Sequence, residues 1–320
     1  MLSLAYVARR LVAAAVTILV AVTLNFLLFR VLPGNAVTHI SRIPNASAEM
    51  RKALEIKFGL DKPIFDQFLI YLREMAHGNL GISYANRQPV FDNLLEAFSN
   101  TIPMVATGVV LALALGLVVG TIAATRRNGP IDHLLTGSAV LAYAFPTQFL
   151  GLIMVIFFSG MLPAAGMADP FLMEDGWWPV LEDRLRHMVL PVATLVLTLF
   201  AENALITRSS MLETLGEDYI LTARAKGVPR RRIILKHALR NALLPIVTMS
   251  ALSLGSIVSG AILVEVIFSW PGIGRTLYDA VLNRDYPMLQ GGFLAITVVV
   301  TLLNLGADLL HFVLDPRVRA

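Results

Sequence analysis

Six stretches of this chain, each about twenty residues or longer and predominantly apolar, decide what it can fold into. They lie near Leu11–Leu32, Thr101–Thr125, Leu134–Ser159, Met188–Thr207, Ala242–Phe268 and Gly291–Val313. A helix needs about 20 apolar residues to cross roughly 30 Å of hydrocarbon. Water does not reach that region, so a spanning segment must satisfy its own backbone, as a helix does. The expected fold is an all-α integral membrane protein with six transmembrane helices. Composition agrees: 56% of residues are hydrophobic and 15% charged, where a soluble domain carries about 25% charge. The first stretch reads as an uncleaved anchor. Its apolar core is too long for a signal peptide, and no small-x-small cleavage site follows it.

Lysine and arginine set the expected orientation. Arg9, Arg10, Arg126, Arg127, eight basic residues from Arg208 to Arg240, Arg317 and Arg319 fall on one set of connections. The opposite short loops hold Arg184, Arg186, Arg275 and Arg284. Fourteen against four places both termini in the cytoplasm. The same clustering explains a pI near 9.5 without a nucleic-acid partner. The chain has no cysteine, which excludes disulfides, zinc–thiolate sites and a cysteine nucleophile.

The long connection at 33–100 is expected to be extracytoplasmic and helical. Ser47 can cap a short helix that Gly59 stops. Pro63 suits the first turn of a second, with Ile64, Phe65, Phe68, Leu69, Leu72 and Met75 on one side and Gly78 at its end. A structural lid and a docking surface for an extracellular partner both fit this segment.

Between the fourth and fifth stretches the chain reads E-D-Y-I-L-T-A-R-A-K-G-V-P-R-R-R-I-I-L-K-H-A-L-R-N-A-L-L-P, from Glu217 to Pro245. A short loop would suffice to return the chain to the bilayer. The spacing instead predicts a helix over about Leu212–Lys226, with Leu212, Leu215, Tyr219, Thr222 and Lys226 on one side. Gly227 offers a left-handed stop and Pro229 the start of a second helix. That helix carries Ile233, Ile234, His237, Ala238 and Asn241 on one face, with Arg230, Arg231, Arg232 and Lys236 around it. Topology alone would explain the arginines, but not the paired apolar faces joined at a glycine. A compact cytosolic knob of this kind points to a docking partner.

This segment resembles the cytoplasmic loop of permease subunits of ATP-binding-cassette importers, which bears the so-called EAA motif. Within that superfamily it is similar to the peptide/nickel branch, whose loop reads roughly D-Y-x3-A-R-A-K-G-x9-H-A-x-R-N-A-x-x-P. Asp218, Tyr219, Ala223, Arg224, Ala225, Lys226, Gly227, His237, Ala238, Arg240, Asn241, Ala242 and Pro245 match it. Leu221-Thr222-Ala223 stands where the literal Glu-Ala-Ala would be. The resemblance extends through R-V-L-P-G-N at the end of the first span, G-L-D-K-P at 59–63, G-N-L-G-I-S at 78–83 and F-S-W-P-G-I-G-R-T-L-Y-D before the last span. Asn35 and Asn79 replace the family's usual aspartates.

The resemblance implies a type I importer permease in the plasma (inner) membrane, a transport subunit and not an enzyme. Its organisation would be a first transmembrane helix at 1–32, the extracytoplasmic segment at 33–100, a five-helix core at 101–313 that includes the coupling loop at 208–241, and a cytoplasmic tail at 314–320. Glu217, Asp218, Tyr219, Ala223, Arg224, Ala225, Lys226, Gly227, His237, Arg240 and Asn241 would couple the spans to a cytosolic ATPase. The chain lacks a G-x-x-x-x-G-K-[ST] phosphate loop. No cofactor or metal is expected on it; ATP and magnesium would bind two partner ATPase subunits. A second homologous permease, an extracytoplasmic substrate-binding protein and membrane lipid are the other implied partners. Di- or oligopeptide cargo follows from the branch, with nickel chelates, glutathione and oligosaccharides as alternatives.

Polar residues within spans mark pathways or helix contacts. Gln148, Thr194, Thr198 and Ser253 are candidate pathway-lining positions, with interhelical hydrogen bonding the alternative. Glu202 continues the Thr194–Thr198 face; Asn304, Asp308 and His311 form a similar row, and for Asp308 and His311 interhelical hydrogen bonding, or charges reaching the interface, is the better explanation. Ser250, Ser253, Ser256, Ser259 and Gly260 make a small-residue seam suited to close packing. Trp270, Pro271, Gly272 and Gly274 are a candidate outer gate, or a plain turn. An intramembrane serine protease would need Ser259 beside His311, yet their places along the spans separate them by more than ~10 Å. An ion-coupled secondary transporter would need no knob, and no inverted hydropathy repeat is evident.

Overall fold

The computed structural model describes residues 4–31, 62–169, 171, 176–243, 246 and 261–314. Among these, α1 (Leu4–Val31), α3 (Val90–Thr125), α6 (Trp177–Leu215) and α10 (Tyr286–Leu314) are long and apolar enough to cross a membrane. Between them lie α2 (Ile64–Ala76), α4 (Pro130–Ala144), α5 (Thr147–Phe158), α7 (Asp218–Ala225), α8, which opens at Arg230–Arg232, and α9 (Ile273–Asn283). Helix α3 begins eleven residues before the expected start at Thr101, because Val90, Leu94 and Ala97 bury against α9 and α10. Most of the expected fifth span, Ala242–Phe268, lies outside the described residues, as do the Ser47–Gly59 helix, Asn35 and the 314–320 tail beyond Leu314.

The third span departs from expectation. It is not one helix over Leu134–Ser159 but α4 and α5, set 102° apart. Pro146 cannot donate a backbone hydrogen bond, and its ring pushes Phe145 out of the helical region, to φ −81° and ψ 130°. At 1.5 Å per residue, α5 is only about 18 Å long.

Helices α3 and α6 form the spine. Gly108, Gly116 and Gly120 lie along α3, and a methyl at Gly120 would strike Thr207 and the Ala204 carbonyl of α6. Small residues of this kind let membrane helices approach closely. Antiparallel to α10, α1 is held at two levels, by Arg10 Nη1 to Asp308 Oδ2 at 2.9 Å and by Asn25 Nδ2 to the Gln290 carbonyl at 2.9 Å. Asp308 therefore pairs between helices. The side chain of His311 is outside the described residues.

In the connection after α1, Pro63 is the residue before α2 rather than part of its first turn, and Gly78 follows the helix at φ +76°. The expected apolar side divides. Phe68, Leu72 and Met75 are half-buried, while Ile64, Phe65 and Leu69 are exposed. Asn79 donates to Glu74 Oε2 at 2.7 Å. An aspartate there would face that carboxylate with like charge, which accounts physically for asparagine at this position.

Candidate functional site

The knob is built on the ends of the spine. The first knob helix does not start at Leu212: α6 runs on to Leu215, Gly216 ends it, and α7 begins at Asp218 after an extended Glu217. Its buried face is accordingly Ile220 and Ala223, not Tyr219, Thr222 and Lys226. Gly227 has φ +74°, the left-handed stop that its sequence position predicts. Helix α8 then passes through a π-helical stretch, Ile233–Ala238. The extra residue in that turn spaces the buried positions by five, Ile233 to Ala238, before they return to four at Ala242 and Ile246. Ile234 and His237 are therefore half-buried, and Asn241 is exposed.

Ile220, Ala223, Ile233, Ala238, Ala242 and Ile246 pack with Ala124 of α3 and Met211 of α6 in one apolar cluster. Across the two knob helices, Asn241 Nδ2 donates to Tyr219 Oη at 2.7 Å. Arg230 Nη2 donates to the Thr125 carbonyl at 2.8 Å and so satisfies the end of α3. The knob is thus tied to α3 and α6, while Asp218, Leu221, Thr222, Arg224, Ala225, Lys226 and Arg240 remain exposed. Leu221 is 54% exposed, an apolar side chain on the outer side of α7.

Of the candidate pathway residues, Gln148, Thr194 and Thr198 are among the described residues. Gln148 is exposed at the start of α5. Thr194 is fully enclosed within the chain, its hydroxyl donating to the Leu190 carbonyl at 2.9 Å. Thr198 is half-buried and donates to the Thr194 carbonyl at 2.9 Å. Both threonines satisfy their own helix. Ser253 and the serine seam lie outside the described residues.

The outer turn is anchored. Trp270 packs among Met104, Leu190 and Phe268, and its Nε1 donates to the Asn100 carbonyl at 3.0 Å. Asn100 Nδ2 donates to the Pro271 carbonyl at 2.9 Å. Beneath lies Glu265, 0% exposed, a residue that sequence reasoning missed. Its carboxylate accepts from Thr101 Oγ1 at 2.6 Å, Gly274 N at 2.7 Å and Arg275 N at 3.1 Å. A methyl at Gly272 would collide with Glu265 and Thr101. An acidic residue inside an apolar stretch was the available signal. A second buried acid, Asp285, accepts from Ser83 Oγ at 2.5 Å, Ala85 N at 3.2 Å and Met288 N at 3.2 Å. It locks the 83–85 turn to the start of α10.

A third missed group joins the spine to α4. Arg208 grips the buried Asp132 with both arms, Nε to Oδ1 at 2.6 Å and Nη2 to Oδ2 at 2.8 Å. Asn128 N and Thr136 Oγ1 donate to the same carboxylate at 2.9 and 3.1 Å.

Comparison with known proteins supplies the family. The binding-protein-dependent transport system inner membrane component matches residues 116–320, and the N-terminal part of such membrane components matches residues 3–105. The dipeptide transport system permease protein DppB of Escherichia coli (strain K12) is 38% identical over 335 aligned residues, covering 99% of each chain. The di/tripeptide transport system permease protein DppB of Pseudomonas aeruginosa (strain UCBPP-PA14) is 37% identical, again covering 99% of each. The glutathione transport system permease protein GsiC of Escherichia coli (strain K12) is 37% identical and covers 98% of each. Among solved structures, the inward-facing MetNI methionine ABC transporter shares the fold at a TM-score of 0.57 and 16% identity, over 70% of this chain and 96% of that one. With both family regions matched and relatives aligned nearly end to end, this chain belongs to the inner membrane components of binding-protein-dependent transport systems.

Proposed function

We propose that the chain is the permease subunit of an ATP-driven importer of di- or oligopeptides, forming half of a pathway completed by a second, related permease. The observation that carries this reading is the knob. Its inner face is packed on α3 and α6 and its outer face is free, so a push on α7 reaches both long helices. Two cytosolic ATPase subunits would supply that push, with ATP and magnesium bound on them. Glu217, Asp218, Arg224, Ala225 and Lys226 would meet the ATPase, around Leu221. Tyr219, Ala223, Gly227, His237 and Asn241 would keep the knob in shape. Both termini would then be cytoplasmic. The turn at Trp270–Gly274, tied to Asn100 and Thr101, would move with α3 as one outer frame. Peptide cargo rests on the names of relatives that carry dipeptides and di/tripeptides; a glutathione carrier of similar identity keeps a short peptide as the common chemistry.

The test is uptake of labelled dipeptide into vesicles holding the chain with its second permease, ATPases and binding protein. ATP-dependent uptake is expected, and uptake without the ATPases would overturn the reading. Gly227→Val probes the coupling separately. No atom lies within 4 Å of a Cβ at this glycine, so the cost is the left-handed backbone alone, roughly 1–2 kcal/mol. Membrane insertion is expected to survive while cargo-stimulated ATPase activity falls several-fold. Unchanged stimulation would count against the knob as the coupling element.

A further inference from the structure

Helix α2 carries more apolar surface than its neighbour covers. Phe68 and Tyr71 face α1, with ring centroids 5.2 and 5.5 Å from Phe26. Asn25 Nδ2 donates to Tyr71 Oη at 3.4 Å. Turning about 60–100° around the helix from Phe68 brings Phe65 and Leu69 into view. They are 66% and 48% exposed. Asp66 and Arg73 follow further round, on the polar side.

The depth of this contact limits what can lie against that flank. Arg10, paired with Asp308, marks the opposite end of α1. From Arg10 to Phe26 the rise is about 24 Å at 1.5 Å per residue, which is less than the ~30 Å of a bilayer's hydrocarbon. Leu24, Leu27 and Leu28, which flank the contact on α1, are themselves exposed. With Arg10 at one edge of the hydrocarbon, the apolar surface of the first span continues onto α2 near the opposite edge.

We propose that α2 is a membrane-interface helix, with Phe65 and Leu69 immersed in the lipid of the leaflet farther from Arg10 and with Asp66 and Arg73 turned to the aqueous side. Such placement suits a helix with one apolar flank and one charged flank. The helix would fix the chain's first span and its following segment at a set depth, independently of what the assembly transports.

The chain has no cysteine, so single labels can be placed directly. Phe65→Cys, Leu69→Cys and Arg73→Cys, each in the full chain in lipid nanodiscs, are spin-labelled and relaxed with oxygen or with a water-soluble nickel chelate. At positions 65 and 69 oxygen is expected to relax the label several-fold more than nickel, with the order reversed at 73. Stronger relaxation by nickel at 65 and 69 would put the flank in water. Protection from both reagents there would put it against protein. Either result overturns the proposal.

Discussion

Glu265→Ala is expected to destabilise the chain strongly at the outer turn. The carboxylate is wholly buried and accepts from Thr101 Oγ1, Gly274 N and Arg275 N. Alanine leaves all three donors facing a cavity, and each buried group without a partner costs about 1–3 kcal/mol. The side chain also holds the first turn of α9, whose free amides would otherwise need another acceptor. Desolvation of the carboxylate is recovered, so a net loss of about 3–5 kcal/mol is a fair expectation. At roughly 2 °C per kcal/mol for a chain of this size, the thermal midpoint in detergent falls by about 6–10 °C. Glu265→Gln keeps one oxygen for the α9 amides and can donate to Thr101, whose hydroxyl rotates freely. Its midpoint should fall by less than half as much. If alanine leaves the midpoint within about 1 °C of the parent, the carboxylate network does not hold the turn and the ties at Trp270 and Asn100 do.

The pattern of what could be foreseen follows from range. A span is a local property, so the apolar runs that became α1, α3, α6 and α10 are plain in the sequence. The left-handed turn at Gly227 is also local, and Pro229 marks the next helix for the same reason. Ambiguity begins where local signals permit two outcomes. Pro146 in an apolar run allows a kinked span or a break, and only the packing of α4 and α5 against α6 shows the 102° break. Leu212, Leu215 and Tyr219 keep helical spacing straight through Gly216, because a glycine is tolerated inside a helix at modest cost. Burial of Ile220 and Ala223 decides the boundary instead. The π stretch in α8 is hidden for a related reason, since a 3.6-residue period has no place for a spacing of five. The buried acids were least visible. Glu265 meets Thr101 across 164 residues and Asp285 meets Ser83 across 202, distances at which no pattern within one chain speaks.

Arg208 illustrates how one correct reading can conceal another. Counted with its neighbours, it contributes to the basic side of the membrane. In the fold it is also the only arginine among the described residues to grip a buried carboxylate with both arms. The two partners are not equally enclosed: 26% of the Arg208 side chain is exposed, against 2% of the Asp132 side chain. Removing one partner of a buried pair costs about 3–5 kcal/mol because the other charge stays uncompensated. That penalty falls unevenly here. Arg208→Met strands Asp132 in the interior with only Asn128 N and Thr136 Oγ1 as donors, and a loss of about 3 kcal/mol is expected. Asp132→Asn leaves a guanidinium that can turn towards water and an amide that keeps some of the hydrogen bonds. Its cost should be nearer ~1–2 kcal/mol. The double variant should be no less stable than Arg208→Met alone, since the stranded charge is gone. Thermal midpoints of the three variants in detergent measure all of this, and strictly additive losses in the double variant would mean that the two side chains do not act as a pair. Because this pair ties α4 to α6, and the knob packs on the end of α6, weakening it should also loosen the third span from that helix.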